Sequence, residues 1–203
     1  MSVVVKICGV RSADDARAAV DAGADLLGVN FVRSSPRYLD PHAARALAGA
    51  VPGVPLVGVF VDAPRDEVAA VAAHVGLAGL QFHGDEPPAY CRGWRQWTIK
   101  ALRAVPGDDL ARRAATYDTT YVLVDSHVAG VAGGTGVALD LAAVAGVPSA
   151  RLFVAGGLRP DTVAEVVRRV RPHGVDVASG VEHSPGVKDH GKIQEFIRRA
   201  KAA

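Results

Sequence analysis

Three kinds of residue in this 203-residue chain have the types and spacing to do chemistry. The first are glycines that follow short apolar runs, in Ala155-Gly156-Gly157-Leu158 and again in Ala178-Ser179-Gly180-Val181. With no Cβ in the way, main-chain N–H groups at such turns can close on an anion, and Ser179 adds a hydroxyl donor. Tight strand-to-helix turns use the same glycines, but two such loops in succession point to a phosphate. The second is Asp125, which closes the apolar run Tyr121-Val122-Leu123-Val124. A carboxylate at the end of a buried strand is costly unless paired or functional, and burial pushes its pKa towards the range of a general acid. The third is Cys8, at the end of Val3-Val4-Val5-Lys6-Ile7. A lone cysteine is ordinarily a small buried hydrophobe; facing one cavity with a protonated Asp125, its thiolate becomes the base of an acid–base pair.

Strand side chains alternate, so Lys6 faces the same side as Cys8, one layer lower. A buried ammonium needs a carboxylate. Asp176 or Asp125 is the expected partner, with the lysine's field favouring the Cys8 thiolate; a purely structural ion pair is the plain alternative. His83 either lines the pocket or bonds to backbone.

These residues must be positioned by something, and the chain is punctuated regularly. Eight short runs read as strands: Val3–Cys8, Leu26–Phe31, Pro55–Val61, Gly79–His83, Thr98–Leu102, Tyr121–Asp125, Arg151–Ala155 and Gly174–Ala178. Between most of them lie Ala-rich segments of helical spacing. Ser12–Ala22 opens on a serine cap with Asp14 and Asp15 in its first turn and stops at Gly23. Pro64–Val75 and Pro160–Arg171 both begin with proline at the first helical position, and Lys192–Ala202 closes the chain. Strands alternating with helices argue for a parallel sheet covered on both faces. A doubly wound sheet usually has five or six strands, whereas eight units of about 25 residues fit a closed (β/α)8 TIM barrel near its lower size limit. No linker or change of composition divides residues 1–203, which therefore read as one barrel domain. In such a barrel, function sits at the C-terminal ends of the strands, and that is where the polar and reactive residues collect.

Composition narrows the rest. An apolar fraction of 49% with 22% charged residues is globular, and 23 basic against 21 acidic residues leave no stripe for nucleic acid. No run of residues is long and apolar enough for a membrane span, and the N-terminus does not read as an export signal, so a cytoplasmic protein is expected. Cys8 and Cys91 form no metal-spaced cluster, and seven histidines include no H-E-x-x-H pair, so no metal is expected. Gly186–Ile193 spells most of a phosphate-binding P-loop, but Ile193 stands where a hydroxyl must hold magnesium.

The chain closely resembles the phosphoribosylanthranilate isomerase family of tryptophan biosynthesis. The resemblance is carried by Val5-Lys6-Ile7-Cys8-Gly9, Ser35-Pro36-Arg37-Tyr38, Gly58-Val59-Phe60, Gln81-Phe82-His83-Gly84-Asp85-Glu86, Val124-Asp125-Ser126, Gly133-Gly134-Thr135-Gly136, Ala155-Gly156-Gly157-Leu158 and the long block Val175–Asp189. It implies a barrel that needs no cofactor and converts N-(5′-phosphoribosyl)anthranilate into 1-(2-carboxyphenylamino)-1-deoxyribulose 5-phosphate by an Amadori rearrangement. It also implies roles: Asp125 as general acid on the furanose ring oxygen, Cys8 as the base that takes the C2′ proton, and Arg37 on the anthranilate carboxylate. Gly156, Gly157, Ser179 and Gly180 fall on the phosphate loops, and His83 and Asp176 complete the expected substrate-binding set with Arg37. Two positions depart from the pattern: Val137 follows Gly136 where a basic residue is usual, and Ala178 stands where a serine is common. Two rival readings are a Schiff-base lyase using Lys100 or Lys6, and a sugar-phosphate binding protein without catalysis.

Overall fold

The β-branched runs form strands because both of their faces find apolar cover, and they close on themselves. In a computed structural model describing residues 3–104, 109–125, 144 and 146–203, eight parallel strands pair in chain order, with β1 also pairing β8. They are β1 (Val4–Cys8), β2 (Leu26–Asn30), β3 (Leu56–Phe60), β4 (Gly79–Phe82), β5 (Trp97–Arg103), β6 (Tyr121–Asp125), β7 (Leu152–Ala155) and β8 (Gly174–Val177). The expected (β/α)8 barrel is thus observed. Closure removes every sheet edge, leaving no unpaired strand to satisfy.

Alternation sorts the side chains into two layers. Val57, Ile99, Ala101, Leu123, Phe153 and Ala155 pack inside the barrel, whereas Val5, Ile7, Leu80, Phe82, Val122 and Val124 face the outer layer. Six α-helices are found among the described residues: α1 (Ala13–Asp21), α2 (Pro41–Ala50), α3 (Arg65–Val75), α4 (Leu110–Ala115), α5 (Val163–Val170) and α6 (His190–Lys201). Ser12 caps α1 by accepting from the Asp15 N–H, as its position before two aspartates predicts. Helix α2 has the same kind of entry, Asp40 accepting from the His42 N–H beside Pro41, and it buries Ala44 and Leu47. Helix α5 starts three residues later than Pro160, because Arg159–Thr162 forms a turn closed by the Arg159 N–H on the Thr162 hydroxyl.

The strict alternation fails once among the described residues. Between β4 and β5, residues 83–96 form turns and not a helix. Pro87-Pro88 and Gly93 break helical hydrogen bonding there. Aromatic packing covers the barrel wall in its place: Tyr90 and Trp94 meet Phe82, and the Arg65 guanidinium lies 4.1 Å from the Trp94 ring centroid. After β8, a single 3₁₀ turn (Ser179–Val181) leads into an antiparallel hairpin, β9 (Glu182–Ser184) and β10 (Val187–Lys188).

Candidate active site

Eight parallel strands place all their C-terminal ends on one rim, so residues far apart in sequence share one opening. Cys8 and Asp125 are the last residues of β1 and β6, and both belong to the inward set. Cys8 alternates with the outward-facing Val5 and Ile7, and Asp125 lies two residues from the inward-facing Leu123, on the same face. The thiol thus points into the barrel and not into the helix layer.

Beneath Cys8 lies a buried ion pair. Lys6, fully buried, donates from Nζ to Asp176 Oδ1 at 2.9 Å, the cross-strand neighbour that the β1–β8 register places opposite it. This settles the choice of partner in favour of Asp176. Gly28 on β2 makes the crowding possible: a Cβ there would sit 2.7 Å from Cys8 Sγ and 3.1 Å from Lys6 Nζ. Burial favours the neutral amine, but Asp176 and Cys8 outweigh it and hold Lys6 above the ordinary lysine value. For Cys8 the balance runs the other way. Burial pushes the thiol up; Lys6 and Lys188 pull it down without overcoming that push, and Asp176 adds to it. The lysine's field therefore has the expected sign, but burial decides the net direction.

Arg37 extends from the loop after β2. Its side chain packs across Gly9, which takes φ +72, and its fork grips Glu182: Nε to Oε1 at 2.8 Å and Nη2 to Oε2 at 2.7 Å. Glu182 Oε1 also accepts from Lys188 Nζ at 3.0 Å, and Lys188 donates to the Ala178 carbonyl. Burial pushes the Glu182 carboxyl up, but Arg37 and Lys188 outweigh it and hold it below the ordinary glutamate range. Sequence reading had not singled out Glu182 or Lys188. Their signal was available, as opposite charges flanking a Pro185-Gly186 turn that brings them together as a cross-strand pair.

His83, just past β4, sits between two side chains. Its Nδ1 is 2.9 Å from Gln81 Nε2, and its Nε2 is 3.5 Å from Asp125 Oδ2. Its backbone N–H bonds to the Phe60 carbonyl at 2.8 Å. On the far side of the opening, Gly156 and Gly157 both take positive φ, +86 and +66. Gly180 is pressed against the Leu158 carbonyl, where a Cβ would lie 1.8 Å from the oxygen, so the loops after β7 and β8 meet directly. Ser179 opens the 3₁₀ turn beside them. The Gly133–Gly136 loop, Ser126 and Val137 lie outside the described residues. Among the described residues, no three His, Cys, Asp or Glu side chains gather as metal ligands.

A cleft of about 310 Å³ lies elsewhere, around the starts of β5 and β6, lined by Cys91, Trp94, Thr98, Asp118 and Thr120 among others. It opens at the N-terminal side of the barrel, away from the rim that carries the acid, the thiol and the glycine loops. Burial pushes the Cys91 thiol up to about 11, which makes it inert there.

The closed barrel, with polar and reactive side chains gathered on its C-terminal rim, defines the class, a (β/α)8-barrel enzyme. Comparison with known proteins narrows this. Residues 5–199 match the family model of N-(5′-phosphoribosyl)anthranilate (PRA) isomerase. A relative of that name from Thiobacillus denitrificans is 50% identical over 206 residues, covering all of both chains. The crystal structure of phosphoribosyl anthranilate isomerase from Thermotoga maritima superposes with a TM-score of 0.91 at 37% identity, covering 99% of this chain and 100% of the other. A further structure of a phosphoribosyl anthranilate isomerase, in complex with reduced 1-(o-carboxyphenylamino)-1-deoxyribulose 5-phosphate, gives a TM-score of 0.87 at 35% identity, covering 99% of this chain and 100% of the other. The chain belongs to the phosphoribosylanthranilate isomerase family.

Proposed function

We propose that the chain catalyses the Amadori rearrangement of N-(5′-phosphoribosyl)anthranilate in tryptophan biosynthesis, with Asp125 as general acid and Cys8 as general base. The observation that carries the assignment of roles is their shared position, both inward-facing at strand ends on the rim where the glycine loops meet. Asp125 gives its proton to the furanose ring oxygen as the C1′–O bond breaks, and the anilino nitrogen's lone pair forms the iminium. Cys8, as thiolate, removes the C2′ proton, leaving an enolamine that tautomerises to the ketone. Each is a proton transfer between positioned side chain and substrate, and none calls on a metal or a cofactor.

Gly156, Gly157, Ser179 and Gly180 hold the phosphate through main-chain N–H groups and a hydroxyl. Arg37, with two nitrogens committed to Glu182, presents the remaining edge of its guanidinium to the anthranilate carboxylate. Asp176 acts at one remove, by anchoring Lys6 under the thiol. The Schiff-base reading is disfavoured because Lys6 and Lys100 are both ammonium partners of buried carboxylates, Lys100 lying 2.6 Å from Glu86, and so lack a free lone pair. One domain suffices for the activity, and a base that must stay a free thiol suits the reducing cytoplasm. Among the described residues, no helix is long and apolar enough to cross a membrane.

The test is turnover of N-(5′-phosphoribosyl)anthranilate with and without a chelator. Wild type is expected to turn over fully in both. Cys8→Ala and Asp125→Asn should each lower kcat by roughly 10²–10⁴ with product-analogue affinity nearly intact. A wild-type protein that binds the product analogue but shows no turnover would leave only a binding protein.

A further inference from the structure

Asp125 must do more than donate a proton. Once it has done so it is a carboxylate at the mouth of a largely apolar barrel, and whatever stabilises that anion lowers the barrier to ring opening. Two residues on one face of the β4 line are placed to do this. Gln81 and His83 are two apart, so both face inward, and β5 separates them from β6. Gln81 is only 1% exposed. Its amide nitrogen lies 2.9 Å from His83 Nδ1; with that nitrogen donating, Nδ1 accepts and the ring's hydrogen sits on Nε2. That N–H is the atom turned to Asp125 Oδ2, 3.5 Å away, while both side chains remain about a quarter exposed to the opening.

The backbone that carries the ring is held on both sides. The His83 N–H bonds to the Phe60 carbonyl at 2.8 Å. The next residue, Gly84, donates to Glu86 Oε2 at 3.0 Å and accepts from Lys100 Nζ at 2.6 Å. This buried Glu86–Lys100 pair reaches no catalytic group itself, and its effect is to fix the strand end that aims the imidazole. Gln81 Oε1, in turn, has no partner among the described residues. A buried amide with one committed and one orphaned atom is costly unless its orientation is useful. Here the useful orientation is the one that leaves Nδ1 an acceptor.

Resting on the reading of Asp125 as general acid, we infer that His83 is a positioning residue for it, with its tautomer set by Gln81. As the Asp125 O–H bond breaks and the proton passes to the ring oxygen, the His83 Nε2–H donates to the new carboxylate. The imidazole neither gains nor loses a proton. Among the described residues, the groups facing the pair include Arg103 on β5, level with Asp125, Ala155 on β7 and, across the barrel, Cys8 with the Lys6–Asp176 pair. The Lys100–Glu86 pair lies outside the β4–β5 wall.

Side-chain geometry supplies the test. A glutamine amide nitrogen can occupy the place of the histidine Nε2, whereas an asparagine reaches only as far as Nδ1. His83→Asn and Gln81→Met should lower kcat by on the order of 10–10²-fold, the worth of one hydrogen bond to a charged group, with product-analogue affinity within about twofold of wild type. Losing the donor raises the pKa of Asp125, so the alkaline limb of the pH–rate profile that reports this acid should move to higher pH. His83→Gln should recover most of the lost turnover. The inference is overturned if His83→Asn keeps the wild-type kcat and profile while Asp125→Asn is inactive, or if His83→Gln is as impaired as His83→Asn. Full turnover by Asp125→Asn would instead remove the acid assignment itself, and this inference with it.

Discussion

Cys8, the proposed base, sits in surroundings that work against that role. Burial pushes the thiol up, and the ammonium of Lys6 below it is the strongest counterweight. Replacing that lysine separates a structural role from an electrostatic one. In Lys6→Met the thiol loses its strongest cationic neighbour, so alkylation of Cys8 by a small neutral reagent should shift to higher pH. The same change strands Asp176 in the barrel and should cost about 3–5 kcal/mol of stability, measured by denaturant unfolding. An alkylation profile identical to wild type would leave Lys6 a structural residue only. The pairing of Lys6 could be narrowed from sequence to two carboxylates, because alternation gave its direction and burial demanded a partner. Choosing between them required the β1–β8 register, a property of closure.

The hairpin of β9 and β10 does for the rim what no barrel strand does, since it carries Glu182 and Lys188 back over the loop after β2 to grip Arg37. Glu182 has a folded pKa below its unfolded one, so the stability it contributes is fully present above the ordinary glutamate value of about 4.3 and is lost as pH falls through the lower folded value. Thermal melts between pH 7 and pH 3 should therefore show a steeper acid loss for wild type than for Glu182→Gln, which has no such proton to take up. The variant itself should be less stable at pH 7, and equal acid slopes would discount the pair. Elements read well from sequence where a cap or a proline marks a start, as at Ser12 and Pro64. They read poorly where neighbouring packing decides. Residues 83–96 carry no such start, and there two prolines and an aromatic cluster on Phe82 make turns.

In the molecule as a whole, the two ends of the barrel differ. The C-terminal rim collects Cys8, Asp125, His83 and the glycine loops, while the N-terminal side is held by bonds remote from that rim. Thr119, 5% exposed, donates its hydroxyl to the Tyr121 carbonyl at 2.8 Å, and the Arg151 guanidinium braces the same turn at the Tyr117 carbonyl. Thr119→Val should lower unfolding free energy by about 1–3 kcal/mol and leave kcat unchanged, as denaturant titration beside a turnover assay would show. A matching loss of kcat would mean that the two ends are coupled.

Sequence alone determined the eight strand runs, the inward face of β1, the polar strand ends and the family, because periodicity, caps and short motifs are local properties of a chain. The tertiary structure alone decided which charges meet. Lys6 with Asp176, Arg37 with Glu182, and His83 with Asp125 are each joined by contacts across 42 to 170 positions of chain. Those pairings depend on the stagger with which the barrel closes and on how loops pack over its rim, and no local pattern of residues encodes either.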